Sequence, residues 1–359
     1  MAELPIKNRK IRWAIVGCGR ISKNHFGTLK KFSSDVELVA VCDTDPKALA
    51  AAQDTYKVPG FADLNALIKA HANPATAFDV ASLCTPSGIH PEQGIALAAA
   101  GRHCVTEKPM GCRWDDALKM VKAFDASKSK LFVVKQNRFN ATVQKLREAI
   151  DQQRFGKIYL GVCNVFWTRP QDYYDQAKWR GTWALDGGAY MNQASHYVDL
   201  MRWFLGPVKN VQATTATFAR NIEAEDSGVA QIQFQSGALG TINVTMLTYP
   251  KNLEGSITLL GEKGTVRIGG SALNKIEVWD FSDKRAGDET VTQLNYSTDS
   301  VYGFGHEPYY KNVIATLRGE ANALVDGREG LTSLELLCGI YEAAKSGKRV
   351  ELPYPRTGL

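Results

Sequence analysis

No stretch of this chain is apolar for long enough to span a bilayer, which takes about 20 consecutive apolar residues. Nor does it hold a basic block interleaved with aromatics, so readers of nucleic acid are not supported. Seven cysteines (Cys18, Cys42, Cys84, Cys104, Cys112, Cys163 and Cys338) include no CxxC pair and no Cys/His ligand cluster. That excludes a disulfide scaffold or zinc site, and no metal centre is expected. Four of the seven sit in or beside apolar runs, where cysteine acts as a small hydrophobe. The opening "MAELPIKNRK" has no apolar core behind its charges, so it does not read as a secretory signal and a cytoplasmic location is expected. The formal charge of +6 is mild; it would favour an anionic small molecule, although solvated lysines explain it equally well.

What remains is ordinary for a globular protein, with 44% apolar and 22% charged residues, and 359 residues are too many for one small core. From residue 11 to about 135, apolar strands alternate with helical patterns: "IRWAIVG", "ISKNHFGTLKKF", "VELVAVCD", "PKALAAAQDTY", "FDVASLCTP", "HPEQGIALAAAG", "RHCVTEK", "LFVVKQN". This alternation predicts a doubly wound parallel sheet, an α/β Rossmann domain over residues 1–135. Beyond it, "KIYLGVCNVFWT", "VKNVQATTATFA", "GVAQIQFQSGALGTINVTML" and "EGSITLLGEKGTVRIGG" follow one another as strands. Residues 136–359 are therefore predicted to be an α+β domain on a mostly antiparallel open sheet. The final "GREGLTSLELLCGIYEAAKSGK" reads as an amphipathic helix packing back on the body.

Three constellations carry chemistry. In "GCGRIS", the turn of Gly17, Cys18, Gly19, Arg20 and Ile21 lies between the first strand and first helix. Glycine is needed where the chain turns sharply and where backbone approaches a pyrophosphate at a helix N-terminus; Ser22 takes the third, packing position. Asp43 ends the next strand at the spacing of an acid that bonds ribose hydroxyls, and "CDTDP" has no cation to receive a ribose phosphate, so NAD is expected over NADP. After the third strand, Thr85, Pro86 and Ser87 lie where a ligand would cross the strand ends, and His90 is either a structural cap or a cofactor contact. His25, on the first helix, reads as a packed or solvated histidine.

The second constellation is "TEKPM". Pro109 keeps Lys108 extended, presenting it with Glu107 at a strand's carboxyl end. The third is "DGGAYMNQASHYVDL", in which a helix from Tyr190 onward would place Asn192, His196 and Asp199 near one another. Histidine suits the removal of a hydroxyl proton, since its pKa lies near working pH. In "FWTRPQDYYD" and "KWRGTW", Arg169 and Arg180 suit a carboxylate or phosphate, and Trp167, Tyr173 and Tyr174 offer flat faces and hydroxyls to a sugar or uracil. Core or subunit packing is the competing account of these aromatics. Asn243, Tyr249 and Tyr302 are weaker candidates.

Over essentially its whole length the chain resembles the Gfo/Idh/MocA oxidoreductases, through "AIVGCGRIS", "CDTDP", "TPSGIH", "EKPM", "DGGAYMNQASHYVDL" and "ITLLGEKGTVRI". The resemblance implies NAD as cofactor, Lys108 and His196 at the catalytic positions, and substrate contacts from Lys108, Asn192, Gln193 and His196. The family commonly has aspartate where this chain has Asn192, which can bond a hydroxyl but not act as a base. Within the family, "NVFWTRPQDYYDQAKWRGTW" and "SVYGFGHEPYY" are similar to the WlbA type of O-antigen synthesis. That similarity implies oxidation of the 3-hydroxyl of UDP-N-acetylglucosaminuronic acid, a homotetramer, and for some members reoxidation of bound NADH by 2-oxoglutarate. Other sugar or polyol dehydrogenases, and a ligand sensor without catalysis, are the alternatives.

Overall fold

The computed structural model describes residues 4–73, 75–298 and 303–354. Two compact units emerge, the first comprising Met1–Val134 and His306–Leu331, the second Lys135–Gly305 and Thr332–Pro355. A single cut after residue 135 therefore does not describe the division, because a later segment returns to the first unit.

In the first unit, six strands, β1 (Ile11–Val16), β2 (Val36–Cys42), β3 (Gly60–Phe61), β4 (Val80–Leu83), β5 (His103–Thr106) and β6 (Leu131–Val133), are ordered β3-β2-β1-β4-β5-β6. Every neighbouring pair is parallel. The strands β4, β5 and β6 are buried throughout, as near-continuous apolar runs demand when helices cover both faces. Those helices are α1 (Ser22–Lys31), α2 (Pro46–Tyr56), α3 (Leu64–Ala70), α4 (His90–Ala99) and α5 (Trp114–Ser127). The order reverses between β1 and β4, which is where such sheets open a ligand crevice at the carboxyl ends of their strands.

The second unit carries α6 (Ala141–Asp151), β7 (Ile158–Phe166), α7 (Gln171–Asp175), α8 (Ser195–Leu205), β8 (Val208–Ala216), β9 (Ser227–Phe234), β10 (Leu239–Thr245), β11 (Glu254–Gly261), β12 (Gly264–Gly269) and β13 (Lys275–Phe281). Its sheet runs β13-β12-β11-β7-β10-β9-β8-β14, the last strand being Val350–Glu351, and among its pairings only β7 with β10 is parallel. Helix α8 lies against β7 at Gly161, where a Cβ would come within 2.6 Å of Leu205. The opposite face presents Val162, Phe166, Val229, Leu239 and Asn243, half-buried or exposed.

Helix α9 (His306–Arg318) is the returning segment. It buries Tyr310 against Trp13 of β1, ring centroids 5.3 Å apart, and Ile6 N–H donates to its Leu317 carbonyl. Helix α10 (Gly327–Ser346) starts in the first unit and ends in the second. Among the described residues no helix is long and apolar enough to cross a membrane.

Candidate active site

The glycine turn is built as its sequence suggests. Gly17 adopts φ +92°, and a Cβ there would lie 2.7 Å from the carbonyl of Cys84, so only glycine lets this turn pack on the loop after β4. Gly19 has nothing within 4 Å of where its Cβ would point, leaving open the approach a pyrophosphate needs. Helix α1 begins with no side-chain cap and no acid in its first turn, so its N-terminal N–H groups retain their affinity for an anion. Arg20 is exposed beside the turn and Ile21 is half-buried. The Asp43 carboxylate accepts from Cys18 N–H at 2.6 Å and from Asp45 N–H at 2.8 Å, which fixes it at the rim. The Cys18 thiol is pushed up to about 12, first by burial and then by Asp43, and so stays protonated. These features fit a dinucleotide.

The residues after β4 and β5 make mainly internal contacts. Thr85 Oγ1 donates to Gln93 at 2.6 Å, Pro86 is half-buried and Ser87 is buried. His90 is fully buried between two carbonyls, Nε2 2.8 Å from that of Thr85 and Nδ1 3.0 Å from that of Pro109. It stands between the loop after β4 and the segment after Lys108, the structural of the two roles expected for it. Burial pushes its pKa down, so the ring is mainly neutral and its one N–H bonds only one of the two carbonyls at a time. Glu107 likewise turns inward: Oε1 accepts from His25 Nε2 at 2.9 Å and Oε2 from Lys108 N–H at 3.1 Å. Burial alone would raise its pKa, but the hydrogen bond from His25 and the nearby ring of His306, 4.0 Å away, hold it well below the usual carboxylate range. Its carboxylate is thus bonded internally through both oxygens. His25 is buried and bonded, not solvated. Lys108 itself is half-buried.

In the second unit the predicted helix from Tyr190 does not form; α8 starts at Ser195 and Asn192 lies in the preceding turn. Two side chains take the amides that a helix would use. Glu225 Oε1 accepts from Tyr190 N–H and from the Tyr341 hydroxyl, both at 2.9 Å, while the Tyr341 oxygen accepts from Gly188 N–H at 3.1 Å and Met191 N–H at 3.0 Å. A Cβ on Gly188 would sit 1.9 Å from Glu225 Oε2, so that position requires glycine. Burial lifts Glu225 to about 7, against the opposing effect of these bonds. Asp186 accepts from Gly181 N–H at 2.8 Å and from the Asn192 amide at 2.5 Å, orienting Asn192.

His196, 6% exposed, sits one turn before Asp199, with its Nε2 2.9 Å from the Gln136 amide nitrogen. An amide nitrogen only donates, so in this orientation Nε2 accepts. Asp199 is taken by Arg138 in a two-pronged pair, both contacts 2.7 Å, with Lys135 at 3.6 Å; Lys135 also donates to Ser333 Oγ at 2.6 Å. Burial raises the Asp199 pKa, but the charges of Arg138 and Lys135 outweigh it and leave it at about 2. Lys135, Gln136 and Arg138 are site residues that sequence reasoning missed. The available signal was a run of polar side chains directly behind the buried strand β6.

Further along the unit, Arg169 and Arg180 flank Tyr173. The Arg169 guanidinium lies 5.2 Å from the Trp167 ring and 5.5 Å from that of Tyr173, and Arg180 lies 4.2 Å from Tyr173. Arg180 has no carboxylate partner among the described residues. Trp167 Nε1, Tyr174 O–H, Arg180 Nε and Gln193 Nε2 are buried polar groups with no hydrogen-bond partner among the described residues. Such groups are costly unless something else satisfies them. Tyr249 is almost wholly exposed, Asn243 bonds Asn164 on the outward sheet face, and Tyr302 lies outside the described residues.

Comparison with known proteins agrees with this architecture. Residues 11–135 match the oxidoreductase family's NAD-binding Rossmann fold, and residues 147–352 match that family's C-terminal alpha/beta domain (Gfo/Idh/MocA). The WlbA dehydrogenase of Chromobacterium violaceum, crystallised with NADH and UDP-GlcNAcA, is 57% identical; the alignment covers 98% of each chain with a TM-score of 0.92. The WlbA dehydrogenase of Bordetella pertussis, in complex with the same two molecules, is 54% identical over 98% of this chain and 100% of that one, TM-score 0.91. Inositol 2-dehydrogenase of Rhizobium meliloti is 26% identical over 95% of this chain and 99% of its own length.

Proposed function

The chain belongs to the Gfo/Idh/MocA oxidoreductase family and is an NAD-dependent dehydrogenase of the sugar and polyol type; from that premise we propose that it oxidises the 3-hydroxyl of UDP-N-acetylglucosaminuronic acid to the 3-keto sugar. The observation that carries the substrate is the identity above one half to two proteins that bind this sugar nucleotide. The arginines around Tyr173 and the partnerless buried donors Trp167 Nε1 and Gln193 Nε2 support it, because a polar, anionic ligand would satisfy them.

NAD, when bound, supplies the hydride acceptor, held by the Gly17–Ile21 turn and by Asp43 at the ribose hydroxyls. Lys108 donates to the reacting hydroxyl and stabilises the alkoxide charge as it develops. His196 takes the hydroxyl proton, with lysine as the runner-up base. For Nδ1 to receive that proton, the Gln136 amide turns so that its oxygen accepts from Nε2–H; that oxygen has no hydrogen-bond partner to lose. Asn192, anchored through its amide to Asp186, orients the sugar. Arg169 or Arg180 holds the uronate or the diphosphate. The outward sheet face supports a homotetramer, O-antigen synthesis is the proposed setting, and 2-oxoglutarate is the proposed oxidant for bound NADH.

Turnover of UDP-N-acetylglucosaminuronic acid against UDP-N-acetylglucosamine tests the charge assignment. The uronic acid should be the far better substrate, since the neutral sugar leaves a built cation unpaired. Comparable turnover of the two would remove the carboxylate assignment. Preference for free inositol, the substrate named for one relative, would favour a polyol dehydrogenase instead.

A further inference from the structure

We propose that His25 and His90 are positioning residues for Lys108, acting through the Glu107 carboxylate on one side and the Pro109 carbonyl on the other. The inference rests on the reading of Lys108 as the group that polarises the substrate hydroxyl.

The side before Lys108 is fixed by a hydrogen-bond chain whose direction follows from its last acceptor, the ionised Glu107 carboxylate, which cannot donate. An indole N–H can only donate, so Trp13 Nε1 donates to Ser82 Oγ at 2.8 Å. The Ser82 hydroxyl is 3.0 Å from the Tyr310 oxygen and passes its proton that way, leaving the Tyr310 hydroxyl to donate to His25 Nδ1 at 2.5 Å. His25 then carries its proton on Nε2 and donates it to Glu107 Oε1 at 2.9 Å. The second Glu107 oxygen accepts the Lys108 amide at 3.1 Å. The chain draws on β1, β4, α9 and α1 and ends at the amide of Lys108. His25, Ser82 and Tyr310 are fully buried, so solvent does not compete for these bonds.

On the far side, His90 lies between the Pro109 and Thr85 carbonyls and ties the segment after Lys108 to the loop after β4. Both His25 nitrogens are thereby bonded inside the protein, and both His90 nitrogens face backbone carbonyls, its one N–H bonding one of them at a time. Their shared effect is to fix where the Lys108 side chain starts. Such fixing matters because a displacement of about 1 Å at a reacting group can cost about a hundredfold in rate.

His25, Glu107 and His306 also have the makings of a metal-ligand trio, with ligand atoms within 4.8 Å of one another. The direct His25–Glu107 bond and the Lys108 amide already occupy both oxygens of the carboxylate, and the anchoring role follows from that.

The test uses the intact enzyme with His25→Phe, His90→Phe and, as the milder change at the far end of the chain, Tyr310→Phe. Hydrogen exchange of the peptide spanning His103–Cys112 is read by mass spectrometry with no substrate present. Exchange at Lys108 should quicken about tenfold or more in the histidine variants and less in Tyr310→Phe, the rest of the map holding steady. With UDP-N-acetylglucosaminuronic acid, kcat should fall roughly ten- to hundredfold while KM for NAD stays within about threefold. The isotope effect from deuterium at C3 should rise, which a smaller folded fraction alone cannot cause. Unchanged exchange at Lys108 in all three variants, with only a lower melting temperature, would overturn the proposal. So would a stoichiometric divalent cation in the purified protein whose chelation reproduces the variants' exchange. Because exchange needs no substrate, a wild type inactive on this sugar nucleotide would refute the substrate reading and leave the anchoring result to stand or fall separately.

Discussion

At the end of β2 one carboxylate, Asp43, is proposed to decide between two cofactors. Each of its oxygens accepts one backbone amide and keeps a lone pair for a ribose hydroxyl, whereas a ribose phosphate would meet its charge. The wild type should bind NAD well ahead of NADP, and Asp43→Ala should weaken NAD by about 1–3 kcal/mol, the range for hydrogen bonds to a charged group. Titration of both cofactors checks this, and equal wild-type affinities would contradict it. His196→Asn keeps size and hydrogen bonding but cannot take a proton; kcat should fall by about 10²–10⁴ with NAD affinity nearly unchanged. Near-normal turnover in that variant, with loss in Lys108→Ala, would make lysine the base. At this scale the turn at Gly17 and Gly19 and the strand-end place of Asp43 were legible because they depend on backbone shape and spacing, which sequence records. Glu107, His90 and His25 were not, because nothing in "TEKPM" or "TPSGIH" says which way a side chain turns at a strand's end. Gln136 and Arg138 became visible only once the fold brought them to His196 and Asp199, about 60 residues later in sequence.

The turn before α8 shows what pattern reading misses at the scale of an element. Residues from Tyr190 onward satisfy a helical period, yet the Tyr190 amide goes to Glu225, 35 residues away, and the Met191 amide to Tyr341, 150 away. No local propensity can anticipate such partners. This anchor has a consequence for stability. The folded-state pKa of Glu225, about 7, lies above the 4.5 of an unperturbed glutamate, so between those values the folded protein binds more protons than the unfolded one. By linkage its contribution is fully present below about 4.5 and is lost as pH rises through about 7, with an upper bound of about 3 kcal/mol. Glu225→Gln keeps an acceptor for Tyr190 and Tyr341 without ionising. Melting temperatures from pH 5 to 8 should fall more steeply for the wild type than for the variant, and parallel profiles would contradict the assignment. Most strands, by contrast, were legible, since buried parallel strands and half-exposed antiparallel ones impose different periods; β13 and the two-residue β3 and β14 were not foreseen.

For the molecule as a whole, the alternation of strands and helices up to residue 135, and the run of strands after it, foretold both sheets. What it did not foretell is the return of α9 to the first unit, since "HEPYYKNVIATLR" carries no mark of which core it will join. If the outward sheet face joins subunits, Val229→Lys with Leu239→Lys should convert a tetramer to smaller species in sedimentation velocity, and an unchanged distribution would move the interface elsewhere. The reaction is the central claim, and one product measurement bears on it most directly. Purified protein is incubated with UDP-N-acetylglucosaminuronic acid and NAD, with 2-oxoglutarate added in a parallel sample, and the sugar nucleotide is then reduced with borodeuteride and mapped by mass spectrometry. The account expects a product lighter by two hydrogens before reduction and deuterium confined to C3 after it. Recovery of unaltered sugar nucleotide, from protein that does oxidise inositol or free glucose with NAD, would contradict it.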